Sequence, residues 1–199
     1  MTGPAIVILA GGLATRLGGG DKVLLPLAGT TMLARILARL GPGRVAINAN
    51  GDPGRFAPFG LPVLPDPIEG WPGPLAGVLA AMEWAGQGDV VTVPGDAPFI
   101  PRDLVARLLA ARAEAGAEIA VAASGGRTHP VAALWPAQLH DDLRRAVIDE
   151  NLRKVAGWIA RHRSVPVEFP VDPVDPFFNI NHPEDLAEAE RLCRLHPEL

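Results

Sequence analysis

Two kinds of apolar pattern alternate along the chain. Residues 5–10 and 89–93 are short, continuous apolar runs, which are typical of strands covered on both faces of a parallel sheet. Longer segments between such runs, for example residues 102–115, carry apolar side chains at helical spacing. This repeat of strand, loop and helix predicts an α/β fold with a mostly parallel central sheet and helices on both sides. The predicted strands cover residues 5–10, 44–48, 61–64, 89–93, 118–122, 131–135 and 165–169, and the predicted helices cover residues 30–40, 73–85, 102–115, 137–146, 152–163 and a segment from residue 183.

Composition and charge limit the class of protein and its partners. The chain has 199 residues, of which 48% are hydrophobic and 20% charged, and we expect residues 1–199 to form a single globular domain. The net charge of −4 gives no general attraction to nucleic acid or anionic lipid, so any phosphate ligand must be held by a local site. We therefore expect neither nucleic-acid nor membrane partners, and we favour a monomer.

The single cysteine, Cys193, excludes an intrachain disulfide and a thiolate metal cage. It falls in the predicted C-terminal helix, where a buried thiol is the ordinary interpretation. The apolar run at residues 5–10 has no basic flank and is too short for a signal peptide or a membrane span. These features together predict a cytoplasmic protein.

The strongest functional signal is the glycine-rich stretch LAGGLATRLGGGDK at residues 9–22. It leaves the end of the first predicted strand, where open α/β sheets bind their ligands. Glycines let backbone N–H groups approach phosphate oxygens closely, and Arg16 and Lys22 supply positive charge for a polyphosphate. The stretch therefore predicts a phosphate-binding loop, with a flexible surface loop as the alternative interpretation.

Two familiar glycine motifs do not fit this stretch. The Walker motif requires Gly-Lys-Ser/Thr, but Lys22 is preceded by Asp21 and followed by Val23. The dinucleotide fingerprint requires Gly-x-Gly-x-x-Gly and an acidic residue at the end of the second strand. Here the first glycines are adjacent and the second strand ends at Asn48. A nicotinamide-dependent enzyme is therefore a poor match.

The loop and several later motifs together resemble the molybdenum cofactor guanylyltransferases and their cytidylyltransferase and sugar-nucleotide relatives. The resemblance covers nearly the whole chain, with one departure at Leu17, where the family often has methionine. The loop indicates only the nucleotidyltransferase superfamily, whereas the ordered combination indicates the guanylyl branch. The later motifs are NAN at residues 48–50, GPLAG at 73–77, PGDAPF at 94–99, HP at 129–130 and NIN at 179–181.

This resemblance implies a three-layer, Rossmann-like nucleotidyltransferase fold and a defined reaction. The implied reaction is transfer of GMP from GTP to the terminal phosphate of molybdopterin, which releases pyrophosphate and forms molybdopterin guanine dinucleotide. It further implies that the N-terminal half binds GTP and the C-terminal half binds the acceptor. Mg²⁺ is the implied cofactor, and molybdoenzymes or their chaperones are potential transient partners.

Asp96 is the expected Mg²⁺ ligand. It follows the predicted strand at residues 89–93, and Mg²⁺ commonly binds one or two carboxylates together with phosphate oxygens and waters. The resemblance implies three catalytic residues, with Asp96 at the metal, Lys22 at the transferring phosphate and Arg16 at the triphosphate or leaving pyrophosphate. A turn or helix cap is the alternative for Asp96. Asp21 is either a second carboxylate ligand or an ion-pair partner of Arg16 or Lys22.

The nucleotide pocket is expected at the ends of the first strands and at the start of the second predicted helix. Amides and carboxylates at strand ends can bind ribose hydroxyls and base edges, although Asp66 can equally cap a turn. By resemblance, Asn48 is a better candidate than Asn50. The expected nucleotide-binding residues are Leu9, Ala10, Gly11, Gly12, Lys22, Asn48, Asp66, Gly73, Gly77 and Asp96.

The acceptor pocket is expected from residues of the second half. Each candidate also has a structural alternative: a strand-end residue for His129, a helix cap for Asn181, and a solvated helix face for Arg153 and Lys154. The expected acceptor-binding residues are His129, Arg153, Lys154, Asn179 and Asn181.

Two other functions share parts of this pattern. A molybdopterin cytidylyltransferase or a sugar-phosphate nucleotidyltransferase would use the same loop with another nucleotide or acceptor. A noncatalytic GTP-binding module that delivers cofactor would keep the loop but would not require a metal-binding carboxylate such as Asp96. Nucleotide preference and pyrophosphate release distinguish these alternatives.

Overall fold

A central β-sheet organises the chain in the computed structural model, which describes residues 3–11, 20–68, 70 and 73–197. The strands are β1 Ala5–Leu9, β2 Pro26–Leu27, β3 Thr30–Thr31, β4 Val45–Asn48, β5 Val63–Leu64, β6 Asp89–Pro94, β7 Ile119–Ser124, β8 Arg127–Pro136 and β9 Ser164–Phe169. The α-helices are α1 Met32–Leu40, α2 Pro74–Ala85, α3 Leu104–Ala115, α4 His140–Ile148, α5 Val155–Ile159 and α6 Pro183–Leu195. Short 3-10 helices cover Lys22–Leu24, Pro53–Phe59 and Ala137–Leu139.

The main sheet has seven strands in the order β5-β4-β1-β6-β8-β7-β9. Only β8 runs antiparallel to its neighbours, β6 and β7, and every other pair in this sheet is parallel. β2 and β3 form a separate small hairpin. The prediction of a mostly parallel central sheet is therefore confirmed.

Helices cover both faces of this sheet. Along β1, Ile6 and Ile8 face a core that includes residues of α1 and α3. Ala5 and Val7, which alternate with them, face a second core formed with α2, α4 and α5. The alternation follows from the two-residue period of a strand. The result is the three-layer α/β arrangement that the sequence resemblance implied.

Some helix ends agree with the predictions and others do not. α1 begins where expected, because the Thr31 side chain accepts a hydrogen bond from Ala34 N at 3.1 Å. The helix predicted over residues 152–163 is wrong in extent, since α5 covers only Val155–Ile159. The chain before it is irregular: Asn151 has φ +56°, and Leu152 N donates to Ala146 O at 3.0 Å at the end of α4.

β8 is longer than predicted and carries a large bulge. It pairs Thr128 with Ala123 of β7 and then Ala133 with Val121, so residues 129–132 lie opposite the single residue Ala122. Proline cannot donate a ladder hydrogen bond, which suits Pro130 to this irregular stretch. Thr92 Oγ1 of β6 donates to Val131 O at 2.6 Å and thereby holds the bulge against the sheet.

A third, smaller core connects the end of the chain to the site region. It contains Leu27 of β2, Phe99, Ile180 and the buried Cys193 of α6. Ile180 N donates to Asp96 O at 2.9 Å, which ties the segment before α6 to the segment after β6. Within the described residues, none of the helices has the length and apolar character needed to span a bilayer.

Candidate active site

A cleft of about 640 Å³ opens at the carboxyl ends of β1, β4 and β6. Ligands bind at this edge of open α/β sheets because the strand ends and the loops after them converge there. Most of the sequence-predicted site residues line it. These are Leu9, Ala10, Gly11, Lys22, Asn48, Asp66, Gly73, Asp96, His129 and Asn179.

The end of β1 makes an unusually close approach to the segment after β6. Gly95 N donates to Leu9 O at 3.0 Å, and a Cβ on Gly95 would lie 2.7 Å from that oxygen and 2.6 Å from Val23 Cγ1. Only glycine fits such a contact without displacement of the backbone. The sequence analysis did not single out Gly95, because its requirement arises from a contact across the sheet.

Lys22, Asp96 and Asn181 meet at this approach. Lys22 Nζ lies 3.2 Å from Asp96 Oδ2 and donates to Asn181 Oδ1 at 2.7 Å. The Lys22 and Asp96 side chains are 13% and 26% exposed, so the pair is partly shielded but still open to the cleft. We call these three residues the junction, because they join the first half of the chain to its end.

Asn181 itself is held by the start of α6. Asp185 Oδ2 accepts hydrogen bonds from Asn181 N and His182 N, both at 2.8 Å. The hydrogen bonds from Asn181 N and His182 N lower the pKa of the Asp185 carboxyl below its ordinary value. His182, not Asn181, is the N-cap of α6. The Asn181 side chain is therefore available to Lys22.

The ends of β4 and β5 are joined by amide and carboxylate groups. Asn48 Nδ2 donates to Asp66 Oδ1 at 2.9 Å and to Leu64 O at 3.1 Å. Asn50 Nδ2 donates to Asp66 Oδ2 at 2.7 Å, and Asp66 N donates back to Asn50 Oδ1 at 2.8 Å. Asn48 is only 3% exposed, so this network fixes its orientation.

Gly77 lies behind this network and outside the lining of the cleft. A Cβ at this position would lie 2.4 Å from Asn48 Oδ1 and 3.1 Å from Leu9 Cδ2. The glycine therefore allows α2 to pack against the Asn48 side chain. Gly77 therefore contacts Asn48 and not the cleft itself, and its predicted role in nucleotide binding stays a prediction.

Asp21 has a partner that the sequence did not predict. Its Oδ2 lies 2.6 Å from Arg55 Nε, whereas the two alternatives for Asp21 were a second carboxylate ligand and an ion pair with Arg16 or Lys22. The alternative that paired Asp21 with Lys22 is wrong, and a role as a second ligand stays a prediction. Lys22 turns instead to Asp96, and Arg55 reaches Asp21 from the 3-10 helix Pro53–Phe59. Arg16 and Gly12 lie outside the described residues, so their predicted roles stay predictions.

On the opposite side of the cleft, His129 is part of a polar and aromatic cluster. Its Nε2 lies 2.7 Å from Ser124 Oγ, which donates to Asp175 Oδ1 at 2.8 Å. The imidazole stacks on Phe177 with ring centroids 4.4 Å apart. Burial lowers the pKa of His129 below 6.5. Asn179 follows Phe177 closely in the sequence and also lines the cleft.

Arg153 and Lys154 are not brought into the cleft. Both are exposed between α4 and α5, and Arg153 Nε donates to Asn151 Oδ1 at 3.0 Å. Their predicted contact with an acceptor phosphate therefore stays a prediction.

The sequence of this chain is similar to a described family and to several named proteins. Residues 6–165 match the family model described as the MobA-like NTP transferase domain. A molybdenum cofactor guanylyltransferase of Rhodopseudomonas palustris (strain BisB5) is 57% identical over 94% of this chain and 92% of its own length. The protein of the same name from Mesorhizobium japonicum is 53% identical over 94% of this chain and 95% of its own length. The chain belongs to the molybdenum cofactor guanylyltransferase family.

Solved structures show that the fold of this guanylyltransferase family member is that of known nucleotidyltransferases. The molybdopterin-guanine dinucleotide biosynthesis protein A of Archaeoglobus fulgidus superposes with a TM-score of 0.77 over 96% of this chain and 99% of that chain, at 24% identity. A 2-C-methyl-D-erythritol 4-phosphate cytidylyltransferase of Thermus thermophilus superposes with a TM-score of 0.70 over 97% and 100%, also at 24% identity. The sequence predictions of fold and family are confirmed.

Proposed function

We propose that this chain transfers GMP from GTP to the terminal phosphate of molybdopterin and releases pyrophosphate. The observation that supports this most strongly is the junction, where Lys22 Nζ lies 3.2 Å from Asp96 Oδ2 and 2.7 Å from Asn181 Oδ1. It puts a cation and a carboxylate between the predicted nucleotide side of the cleft and the predicted acceptor side. The names of the curated relatives support the choice of guanine and of molybdopterin.

The donor set of the cleft fits Mg²⁺. Among the described residues there is no group of three or more His, Cys, Asp or Glu side chains that could hold a metal ion, so an all-protein cage is not formed there. Mg²⁺ usually binds one or two carboxylates and completes its shell with phosphate oxygens and waters, for which Asp96 is suited. A Mg²⁺ ion held by Asp96 would neutralise charge on the triphosphate.

The reaction can be written as a single displacement. A terminal phosphate oxygen of the acceptor forms a bond to the α-phosphorus of GTP, and the bond from that phosphorus to the oxygen bridging to the β-phosphate breaks. Pyrophosphate leaves with the bonding electrons. The acceptor phosphate is largely ionised at neutral pH, so no general base is needed. Positioning and charge neutralisation therefore supply the catalysis.

Each side of the cleft then has an assigned part. Asn48, Asp66, Gly73 and Gly77, with Leu9, Ala10 and Gly11, hold the nucleoside, while Lys22 compensates charge on the transferring phosphate. Arg16 acts on the triphosphate or on leaving pyrophosphate. The acceptor is bound by His129, Asn179 and Asn181. Arg153 and Lys154 lie outside the cleft and attract the acceptor phosphate at long range. We expect a cytoplasmic monomer that passes its product transiently to molybdoenzymes or their chaperones.

Nucleotide preference tests this proposal. Purified protein would be incubated with Mg²⁺, molybdopterin and GTP, CTP or UTP, and pyrophosphate release would be measured. We expect release that depends on GTP and on molybdopterin. Dominant turnover of CTP would reassign the chain to cytidylyl transfer, and binding of GTP without any pyrophosphate would indicate a noncatalytic delivery module.

A further inference from the structure

A buried hydroxyl connects His129 to a carboxylate that the sequence analysis did not single out. Ser124 Oγ lies 2.7 Å from His129 Nε2 and 2.8 Å from Asp175 Oδ1. Asp175 Oδ1 also accepts from Phe177 N at 3.0 Å, which fixes the carboxylate relative to the chain. Ser124 is 1% exposed, so its hydroxyl is left with these protein partners in place of bulk water.

The direction of these hydrogen bonds fixes the position of the His129 proton. An ionised carboxylate can only accept, so the single hydroxyl proton of Ser124 is donated to Asp175. The Ser124 oxygen must then accept from His129, which requires a proton on Nε2. In the neutral ring the other nitrogen, Nδ1, carries a lone pair and acts as an acceptor. Within the described residues, His129 Nδ1 has no hydrogen-bond partner.

The surroundings of His129 favour its neutral form. Burial lowers the pKa of the imidazole most strongly, and Arg127 of β8 lowers it further. Asp175, from the segment before α6, and Glu168, from β9, act in the opposite direction. The net result is a pKa below the ordinary value of 6.5, which favours the neutral imidazole at neutral pH.

Aromatic packing and the β8 bulge hold the ring in place. His129 stacks on Phe177 with an interplanar angle of 23°, and Phe177 contacts Phe169 edge-on with centroids 5.6 Å apart. Phe169 and Phe177 are buried, and His129 lies in the bulged residues 129–132 of β8. The orientation of His129 is therefore set before any ligand binds.

We propose that Ser124 and Asp175 are positioning residues that keep His129 in its neutral, Nε2-protonated form, so that Nδ1 accepts a hydrogen bond from an N–H or O–H group of the acceptor substrate. This proposal rests on the proposed function for the identity of the reaction. A direct contact with the Asp175 carboxylate would favour a cationic imidazole, which could bind the acceptor phosphate by its charge. Here a hydroxyl separates the two groups, and burial opposes the charge.

The tautomer can be measured without substrate. Long-range proton–nitrogen NMR spectra of the wild-type protein would be recorded at neutral pH, and His129→Gln would assign the His129 signals among those of five histidines. We expect a neutral ring with the proton on Nε2. In Asp175→Asn the new amide can donate to the Ser124 oxygen, which frees the Ser124 hydroxyl to donate to His129 Nε2. We therefore expect the His129 proton to move to Nδ1 in a large fraction of molecules. A wild-type ring that is charged, or protonated on Nδ1, would overturn the proposal.

Steady-state kinetics test whether the acceptor substrate donates a hydrogen bond to the lone pair of His129 Nδ1. Ser124→Ala and Asp175→Asn should each raise the KM for molybdopterin about tenfold and leave the KM for GTP within twofold. Ser124→Thr keeps the hydroxyl and should restore most of the loss, while Asp172→Asn, an exposed aspartate of the same segment, should behave as wild type.

Equal losses for both substrates, or an unchanged KM for molybdopterin in both variants, would contradict the role of His129 as an acceptor for the second substrate. Failure of the wild-type protein to release pyrophosphate would overturn the proposed function instead. In that case the NMR spectra would still decide whether Ser124 and Asp175 set the tautomer.

Discussion

The two sides of the cleft are built in different ways. The proposed nucleotide side lies at the ends of parallel strands, and its polar groups come from two short segments, in which Asn48 and Asn50 each hydrogen-bond to Asp66. The proposed acceptor side is assembled from the bulge of antiparallel β8 and the segment before α6. The first kind of site follows from strand order alone, whereas the second depends on long-range packing.

The junction is the place where these two sides meet. Lys22 is separated by 74 residues from Asp96 and by 159 residues from Asn181. Because we assign Lys22 to the transferring phosphate and Asp96 to its metal ion, substitutions at these two residues of the junction should affect turnover most. Substitutions on one side should mainly change the binding of one substrate.

The largest effect is expected at the carboxylate of the junction. Asp96→Asn removes the proposed Mg²⁺ ligand and the ionic partner of Lys22, so kcat for pyrophosphate release should fall by roughly 1,000-fold. The matched control is Asp149→Asn, an exposed aspartate at the end of α4, which should retain wild-type turnover. Chelation of divalent ions should inactivate the wild-type protein to a similar degree. Activity unaffected by chelation would show that turnover requires no divalent ion.

A second large effect is expected from the cation. Lys22→Met keeps the unbranched shape and most of the length of the side chain but removes its charge, and we expect kcat to fall about 100-fold while the Kd for GTP changes less than fivefold. The comparison of kcat with equilibrium binding of GTP is the informative measurement. If binding were lost and turnover of the bound nucleotide were normal, Lys22 would belong to the nucleotide side only.

A glycine substitution tests the nucleotide side alone. The Cβ of Gly77→Ala would lie 2.4 Å from Asn48 Oδ1 and would push that side chain out of its network, so the KM for GTP should rise about tenfold. The KM for molybdopterin should stay near its wild-type value. Gly157→Ala is the control, since its Cβ would find Leu152 Cδ1 at an ordinary 3.6 Å, and there we expect unchanged kinetics and a small gain in stability.

On the acceptor side, Asp185 links stability to pH. Its folded pKa is lowered, so the carboxylate stabilises the fold above its unfolded pKa of about 3.8, and this contribution is lost as the pH falls through the folded value. Asp185→Asn should reduce the free energy of unfolding by about 1 kcal/mol at pH 7, as measured by denaturant titration. A difference between the two proteins that did not diminish as the pH was lowered through the acid range in which both still fold would contradict this origin.

The smallest effect is expected from the cations outside the cleft. Arg153→Ala combined with Lys154→Ala should raise the KM for molybdopterin by about twofold at low salt, because both residues act only through long-range attraction of a phosphate. The effect should disappear at high ionic strength. A tenfold or larger effect that persists at high salt would mean that the segment between α4 and α5 contacts the acceptor directly.

The sequence was sufficient for the fold and for locating most of the residues that line the cleft at the ends of β1, β4 and β6. Strand periodicity predicts where β1, β4 and β6 end, and the residues that follow those ends necessarily gather at one edge of the sheet. The motifs around Asp96 and Asn48 therefore led to side chains that the structure brings into one cleft.

The parts that sequence analysis missed depend on contacts between distant segments. Ser124 precedes a Gly-Gly turn and Asp175 lies among prolines, so neither shows a local motif that connects it to His129. The requirement for glycine at residue 95 comes from the approach of β1, and the pairing of Arg55 with Asp21 comes from a 3-10 helix that was not predicted. Such contacts become visible only after the chain has folded.

A crystal structure with GTP and Mg²⁺ tests most directly the claim that the two sides of the cleft meet at the junction. We expect the nucleoside beside Asn48 and Gly77, the α-phosphate beside Lys22, and the divalent ion bound to Asp96. A triphosphate that lies away from Lys22, or an ion without Asp96 among its ligands, would contradict it.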